Sequence, residues 1–154
     1  MNTSERTTAA IVSLLYFVRM LGLFSILPVF TLAASKLYDS GPMLIGLTLG
    51  IYGLFQALLQ VPYGYLSDRF GRKPMLIAGL SIFIVGSLIA ALAERIEWVL
   101  VGRALQGSGA IAGVLLAVLA DGMRFEYRAR AMAMVGGSIG LAFGGSLVLG
   151  PVLY

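Results

Sequence analysis

The chain of 154 residues has no cysteine and no histidine, and charged residues make up only 12% of it. These two absences exclude disulfide bonds and metal sites with thiolate or imidazole ligands. A soluble domain usually carries about 25% charged residues, so the low charge argues against an ordinary water-soluble fold. We also find no nucleophile–base pair or metal-ligand set. The sequence therefore predicts a protein that is not an enzyme and that needs no cofactor.

Long apolar runs take the place of the missing charge, since 59% of the residues are hydrophobic. A transmembrane helix needs roughly 20 mostly apolar residues. Five runs meet that length, at about 9–35, 42–66, 74–93, 96–120 and 131–154. Backbone groups in lipid must be satisfied within the segment, which favours helices. The sequence predicts an all-α, polytopic transmembrane helix bundle.

Cations are distributed unevenly between the two ends of these runs. The N-terminus, the 67–74 link and the 121–130 link hold seven of the eleven: Arg6, Arg69, Arg72, Lys73, Arg124, Arg128 and Arg130. The opposite links hold only Lys36 and Arg95. Because cytoplasmic links are enriched in Lys and Arg, we expect an integral membrane protein with a cytoplasmic N-terminus. This topology also accounts for the net positive charge without nucleic acid as a partner.

The link after the second run reads Gly64-Tyr-Leu-Ser-Asp68-Arg69-Phe-Gly71-Arg72-Lys73-Pro74. Asp68 follows Gly64 by four residues, one helical turn, so both face the same side. Gly64 is small enough for a close helix contact. We expect Gly71 to end the helix in a tight turn, and the Asp68 carboxylate to pair with an arginine.

Arg103 lies inside the fourth run, with Gln106 three residues later on the same face. A charged side chain at the centre of a membrane helix costs about 2.5–3.5 kcal/mol on insertion scales, so it usually faces a polar cavity or a partner. Taken alone, the pattern leaves two alternatives open. Arg103 either faces a cavity or extends to the outer interface.

Other polar or small residues within the runs are candidates for a polar path or a hinge. Arg19 lies in the first run, and Gln56 and Gln60 share a face of the second with Tyr52. Hydrogen bonding between helices explains the presence of these three residues of the second run equally well. In the fifth run, Pro151 removes a helix hydrogen bond and can kink the span. Glycines at helical spacing in the second to fifth runs predict close helix packing.

The 64–74 link closely resembles the signature loop of the major facilitator superfamily, which lies between its second and third helices. Six residues fit the pattern: Gly64, Asp68, Arg69, Gly71, Arg72 and Lys73. In that family the loop looks like a gating latch whose acidic partner stands at the cytoplasmic end of the fourth helix. The resemblance implies a latch of Asp68, Arg72 and Asp121.

Two further stretches resemble motifs of this family, and the second of these motifs belongs to its drug:proton antiporter branch. Arg103, Gln106 and Gly107 match an Arg-x-x-Gln-Gly motif that is associated with proton-coupled members, which favours the cavity for Arg103. The fifth run carries a glycine-rich stretch ending in Gly-Pro, matched here by Gly137, Ser146, Gly150 and Pro151, with Ser146 in place of a glycine. The resemblance thus implies proton-coupled export and a hinge in the fifth helix.

The resemblance covers the whole chain but only the first five of the family's usual set of about twelve helices. It implies the N-terminal part of a secondary transporter in a bacterial inner membrane. Its partners would be the lipid bilayer, a small amphipathic substrate, protons and the C-terminal helices. Spans one to five hold no carboxylate near the bilayer centre, which leaves the proton carrier open. Two alternatives are a nutrient symporter or uniporter of the same family and a non-transporting five-helix protein that oligomerises.

Overall fold

The computed structural model describes residues 1–34, 36 and 41–153. Over these residues the chain forms helices and no strand, which confirms the all-helical class predicted from the sequence. The helices are α1 (Thr3–Ala34), α2 (Pro42–Phe70), α3 (Arg72–Ala91), α4 (Ile96–Ser108), α5 (Ala112–Asp121) and α6 (Phe125–Leu153). Five segments of the described chain are long and apolar enough to cross a membrane: Thr3–Ile26, Pro42–Phe70, Arg72–Ala91, Ile96–Asp121 and Phe125–Leu149. The run ends expected at residues 35 and 154 lie outside the described residues.

The helices continue past the ends of the apolar runs into the charged links. The expected 67–74 link contains a single non-helical residue, Gly71, between α2 and α3. Gly71 has φ 97° and ψ 154°, a backbone conformation that side chains with a Cβ rarely adopt. Its amide donates to the carbonyl of Ser67, which closes the end of α2. Gly71 therefore turns the chain sharply while its charged neighbours stay on helices.

The fourth apolar run, expected as one helix over 96–120, is divided into α4 and α5. The division falls at Gly109, Ala110 and Ile111, where the Ile111 amide donates to the Gly109 carbonyl 2.7 Å away, as in a γ-turn. These three residues are buried. Non-helical backbone at membrane depth is tolerated only where protein or a polar cavity surrounds it. The apolar run could not reveal this break because its hydropathy is continuous.

The residues divide into two compact units, of which one comprises Thr31–Val114. Within it, α4 packs against α3 and α2. The backbones of α3 and α4 cross at Gly86 and Gly102: a Cβ at Gly86 would lie 2.6 Å from the Gly102 carbonyl oxygen, and one at Gly102 would lie 2.7 Å from that of Gly86. The predicted close packing through small residues thus occurs on α3 and α4.

Glycines of α2 that were expected to pack closely behave differently. A Cβ at Gly46, Gly50 or Gly53 would meet nothing within 4 Å among the described residues. Helix contacts form only where two elements cross, and helical spacing does not specify which face crosses which. The outer faces carry exposed apolar side chains such as Leu58 and Val61, as expected for surfaces in contact with lipid.

Gly86→Ala is expected to destabilise the protein strongly, because the new methyl group would press on the backbone of α4. Overpacking of this kind costs about 1–3 kcal/mol. Gly50→Ala is the matched control, since the same change there meets open space and gains helix propensity of up to about 1 kcal/mol. Melting temperatures of the two variants in detergent check the prediction, and equal stability would contradict the observed crossing.

The other unit comprises Met1–Phe30 and Leu115–Tyr154. Here α1 packs against α6, with Phe24 and Phe143 in an edge-to-face contact whose ring centroids are 5.2 Å apart. Near the start of α1, the Thr8 methyl group lies 3.0 Å from the position of a Cβ on Gly122, in the turn between α5 and α6. The beginning of the first helix is therefore held beside that turn.

Candidate functional site

The turn between α2 and α3 gathers three polar side chains at the end of α2. Arg72 forms an ion pair with Asp68 and donates from Nη1 to the Ser67 hydroxyl at 2.6 Å. Ser67 in turn donates to the Gly64 carbonyl at 2.7 Å. The Asp68 side chain remains 66% exposed, and that of Arg72 27% exposed. Asp68 is thus oriented by Arg72 and still open to a further partner.

The other predicted members of this turn take different positions. The close helix contact expected at Gly64 is not formed by the described residues, because a Cβ there would meet nothing within 4 Å. Arg69 and Lys73 are exposed, with the Arg69 guanidinium 5.7 Å from the centre of the Phe70 ring. Asp121, the predicted acidic partner, is the exposed last residue of α5 and belongs to the other unit.

Arg103 is held inside the unit formed by Thr31–Val114 and is only 3% exposed. Its Nη1 donates to Gln106 Oε1 at 2.9 Å, and its guanidinium carbon lies 4.9 Å from the centre of the Tyr52 ring. A cation over an aromatic face is attracted by the ring quadrupole. Nε of Arg103 is buried and has no hydrogen-bond partner among the described residues. The guanidinium therefore keeps a donor that an incoming acceptor could use.

Close helix crossings explain why Arg103 and Tyr52 meet. A Cβ at Gly107 would collide with the carbonyl oxygen of Tyr52, so α2 and α4 approach as backbones there. Gly107, predicted as part of the polar path, therefore acts by letting α2 come close. The spacing of Arg103 and Gln106 on one helix predicted that the two side chains would be neighbours, and they are hydrogen-bonded.

The two glutamines of α2 are placed differently from each other. Gln56 is half-buried, and its Oε1 is a buried acceptor with no hydrogen-bond partner among the described residues. Gln60 is exposed, and its Cγ lies 3.4 Å from the position of a Cβ on Gly113. Gln56 thus offers an unused buried oxygen, whereas Gln60 packs beside the start of α5.

In the other unit, Arg19 is a buried residue of α1, at 5% exposed. Gly137, a predicted hinge residue of α6, faces open space, since a Cβ there meets nothing within 4 Å. Ser146 is fully buried and donates to the Phe143 carbonyl at 2.7 Å. The backbone at Gly150 and Pro151 belongs to α6, and the surroundings of these two residues lie outside what the structure describes.

Glu5 is a buried acidic residue that sequence reasoning missed. Asn2 and Glu5 cap the start of α1 reciprocally: the Asn2 amide donates to Glu5 Oε2 at 2.7 Å, and the Glu5 amide donates to Asn2 Oδ1 at 2.8 Å. This is a capping box, whose spacing is readable in the sequence. The sequence could not show the second contact, in which Arg124 Nε donates to Glu5 Oε1 at 2.8 Å.

The Glu5–Arg124 pair ties the start of α1 to the turn before α6. Arg124 adds a donation from Nη2 to Glu5 Oε2 at 3.3 Å and one from its backbone amide to Oε1 at 3.3 Å. Donating these hydrogen bonds to the Glu5 carboxylate raises the pKa of Arg124 above its ordinary value, so Arg124 stays charged. One carboxylate therefore serves both the helix cap and a contact between elements far apart in the chain.

Glu5→Gln is expected to lower the melting temperature in detergent, and Arg124→Ala to lower it by a similar amount. Glutamine can still cap α1, so Glu5→Gln keeps the cap and removes the close ion pair with Arg124 at 2.8 Å together with a weaker one to the Met1 amino group at 3.9 Å. The double variant should lose little more than either single variant, because both remove the same contact. Glu94→Gln, the same change at an exposed site, is the control. Additive losses would contradict the pairing.

Comparison with known proteins places the chain in a family of transporters. The family model described as Major Facilitator Superfamily matches residues 12–154. The inner membrane transport protein YajR of Escherichia coli strain K12 is 46% identical over 153 residues, which are 99% of this chain and 34% of YajR. An uncharacterized transporter of Buchnera aphidicola from Schizaphis graminum is 42% identical over 153 residues, 99% of this chain and 39% of that protein.

A third relative, multidrug resistance protein 3 of Bacillus subtilis, is 36% identical over 93 residues, 59% of this chain and 17% of that protein. The chain thus spans about a third of the length of YajR and a smaller part of this third relative. The family match covers nearly all of the chain and agrees with its five apolar helical segments. The chain is an integral membrane protein that belongs to the Major Facilitator Superfamily.

Proposed function

We propose that the protein is a secondary active transporter that exports small amphipathic compounds in exchange for protons. The observation that carries this proposal is Arg103, a buried cation in a membrane segment with a free donor at Nε. Keeping a charge at such a site is costly, and intramembrane charges usually mark a substrate or ion path. Relatives named as transporters favour transport over an enzymatic role.

Transport follows alternating access, in which two helical halves rock around a central cavity. Arg103 and Gln106 lie on the substrate or proton path, with Arg19, Gln56 and Gln60 as further polar groups of that path. Helices beyond this segment complete the cavity, in agreement with the chain's share of its relatives' length. They also supply the carboxylate that carries the proton, unless a carboxylate at the cytoplasmic edge of the membrane carries it.

Asp68, Arg72 and Asp121 form a cytoplasmic latch that stabilises the outward-facing state. The ion pair between Asp68 and Arg72, and the exposure that leaves Asp68 open to a further partner, support this role. The cation-rich N-terminus and links support a cytoplasmic position for the latch side. The inner membrane is the proposed location, as suggested by the similarity to YajR, an inner membrane transport protein. The Gly137–Pro151 stretch serves as the hinge of α6.

Everted membrane vesicles that contain the full-length protein test the direction of transport, with ethidium as an amphipathic cation. Accumulation of ethidium when the vesicle interior is acid supports export driven by inward proton flow in the cell. Accumulation only when the exterior is acid would instead identify a symporter. Vesicles without the protein provide the background, and ethidium levels equal to that background under both gradients would overturn the export of amphipathic cations.

A further inference from the structure

Ser87 of α3 stands beside the Arg103–Gln106 pair, although no motif in the sequence includes it. The Gly86–Gly102 crossing brings the backbones of α3 and α4 together, and Ser87 follows Gly86 directly. Gln106 Nε2 lies 2.9 Å from Ser87 Oγ, and Ser87 Oγ lies 2.8 Å from the Phe83 carbonyl oxygen. A chain of hydrogen bonds thus runs from Arg103 through Gln106 and Ser87 to the backbone of α3.

The direction of this chain follows from its last member. A backbone carbonyl only accepts hydrogen bonds, so the single proton of the Ser87 hydroxyl is donated to Phe83. The Ser87 oxygen can then only accept, and the group facing it must be the NH₂ of the Gln106 side chain. The amide carbonyl of Gln106 is left facing Arg103, where it accepts from Nη1.

We propose that Ser87 is a positioning residue that sets the orientation of the Gln106 side-chain amide. In the reversed orientation the NH₂ group would face the guanidinium, and two donors would oppose each other in a buried site. A buried group left unsatisfied in this way is strongly unfavourable. With the orientation set, Gln106 holds Nη1 of Arg103, and Nε stays available to an acceptor. The assignment deepens the proposed path and rests on the proposed function for the role of that path.

Labelling with phenylglyoxal, a reagent selective for arginine, tests this assignment without any transported compound. The full-length protein in detergent is treated with the reagent, and mass spectrometry follows the modification rate of Arg103 relative to that of exposed Arg95. In Ser87→Ala the Gln106 NH₂ group loses its acceptor, so the amide holds Arg103 Nη1 less firmly and we expect Arg103 to react about fivefold faster, the effect of one ordinary hydrogen bond. The wild-type rate should be slow because Arg103 is buried.

Two further variants separate positioning from general loosening. Ser81 has the same hydroxyl-to-carbonyl bond within α3, to Ile77, but is exposed. Ser81→Ala should therefore leave Arg103 labelling unchanged. Ser87→Thr keeps a hydroxyl that can bond the same carbonyl and should restore slow labelling. Labelling of Arg103 at the wild-type rate in Ser87→Ala, or equally fast labelling in both Ser81→Ala and Ser87→Ala, would overturn the assignment. Absent ethidium transport would overturn only the proposed function.

Discussion

Asp68→Asn is expected to reduce ethidium efflux to about a tenth of the wild-type rate or less, the effect of about 1.4 kcal/mol on the transport barrier. Asparagine has almost the same shape but no charge, so it cannot form the ion pair with Arg72 or attract another cation. In the proposed latch, that charge stabilises one end state of the transport cycle. Initial efflux rates from cells loaded with ethidium, corrected for the amount of protein in the membrane, measure the effect.

The fold should tolerate Asp68→Asn, because the Asp68 side chain is 66% exposed. Ion pairs at a surface usually contribute only about 0–1 kcal/mol to stability. Glu97→Gln is the matched control: Glu97 pairs with Arg95 in a link at the other end of the bundle, and both side chains are about half exposed. Efflux should be normal in this control. Normal efflux by Asp68→Asn at normal abundance would refute the latch.

Arg103→Ala is expected to lower the rate of ethidium efflux at least about tenfold. Removing a buried charge saves its insertion cost of about 2.5–3.5 kcal/mol and leaves Gln106 Oε1 without its donor, a cost of about 1–3 kcal/mol. These effects on stability largely offset each other. The variant should therefore reach the membrane at normal abundance, so that lost efflux reports on the polar path.

Arg103→Lys separates charge from shape at the same site. Lysine keeps the positive charge but lacks the planar guanidinium that lies over the Tyr52 ring while bonding Gln106. We expect efflux between that of the wild type and that of Arg103→Ala. Arg95→Ala, at an exposed arginine, should transport normally. Wild-type efflux by Arg103→Ala would show that the buried cation serves packing alone.

Local spacing made part of the candidate site predictable. Asp68 and Arg72 are four residues apart, and Arg103 and Gln106 are three apart, so each pair shares one helix face. Both pairs are in contact. The glycine at the α2–α3 turn was also predictable, because a tight turn between two helices favours a residue with positive φ. Contacts within one helix or one turn are specified by positions a few residues apart.

Contacts between different helices could not be predicted from the sequence. The Glu5–Arg124 pair joins residues 119 positions apart, and the Ser87–Gln106 bond joins residues 19 positions apart. Gly86 and Gly102 meet at a crossing, whereas Gly50, with the same expected role, meets nothing within 4 Å. No helical period identifies which of several similar faces will meet another helix.

The sequence by itself determined that this protein is an integral membrane helix bundle of the Major Facilitator Superfamily. Apolar run length dictates membrane helices, because lipid leaves no other partner for the backbone. Only the tertiary structure decided where the fourth run breaks, which glycines lie at a helix crossing, and that Ser87 is hydrogen-bonded to Gln106, the partner of Arg103. Those features depend on how close two backbones come, a distance that packing of all neighbouring side chains sets.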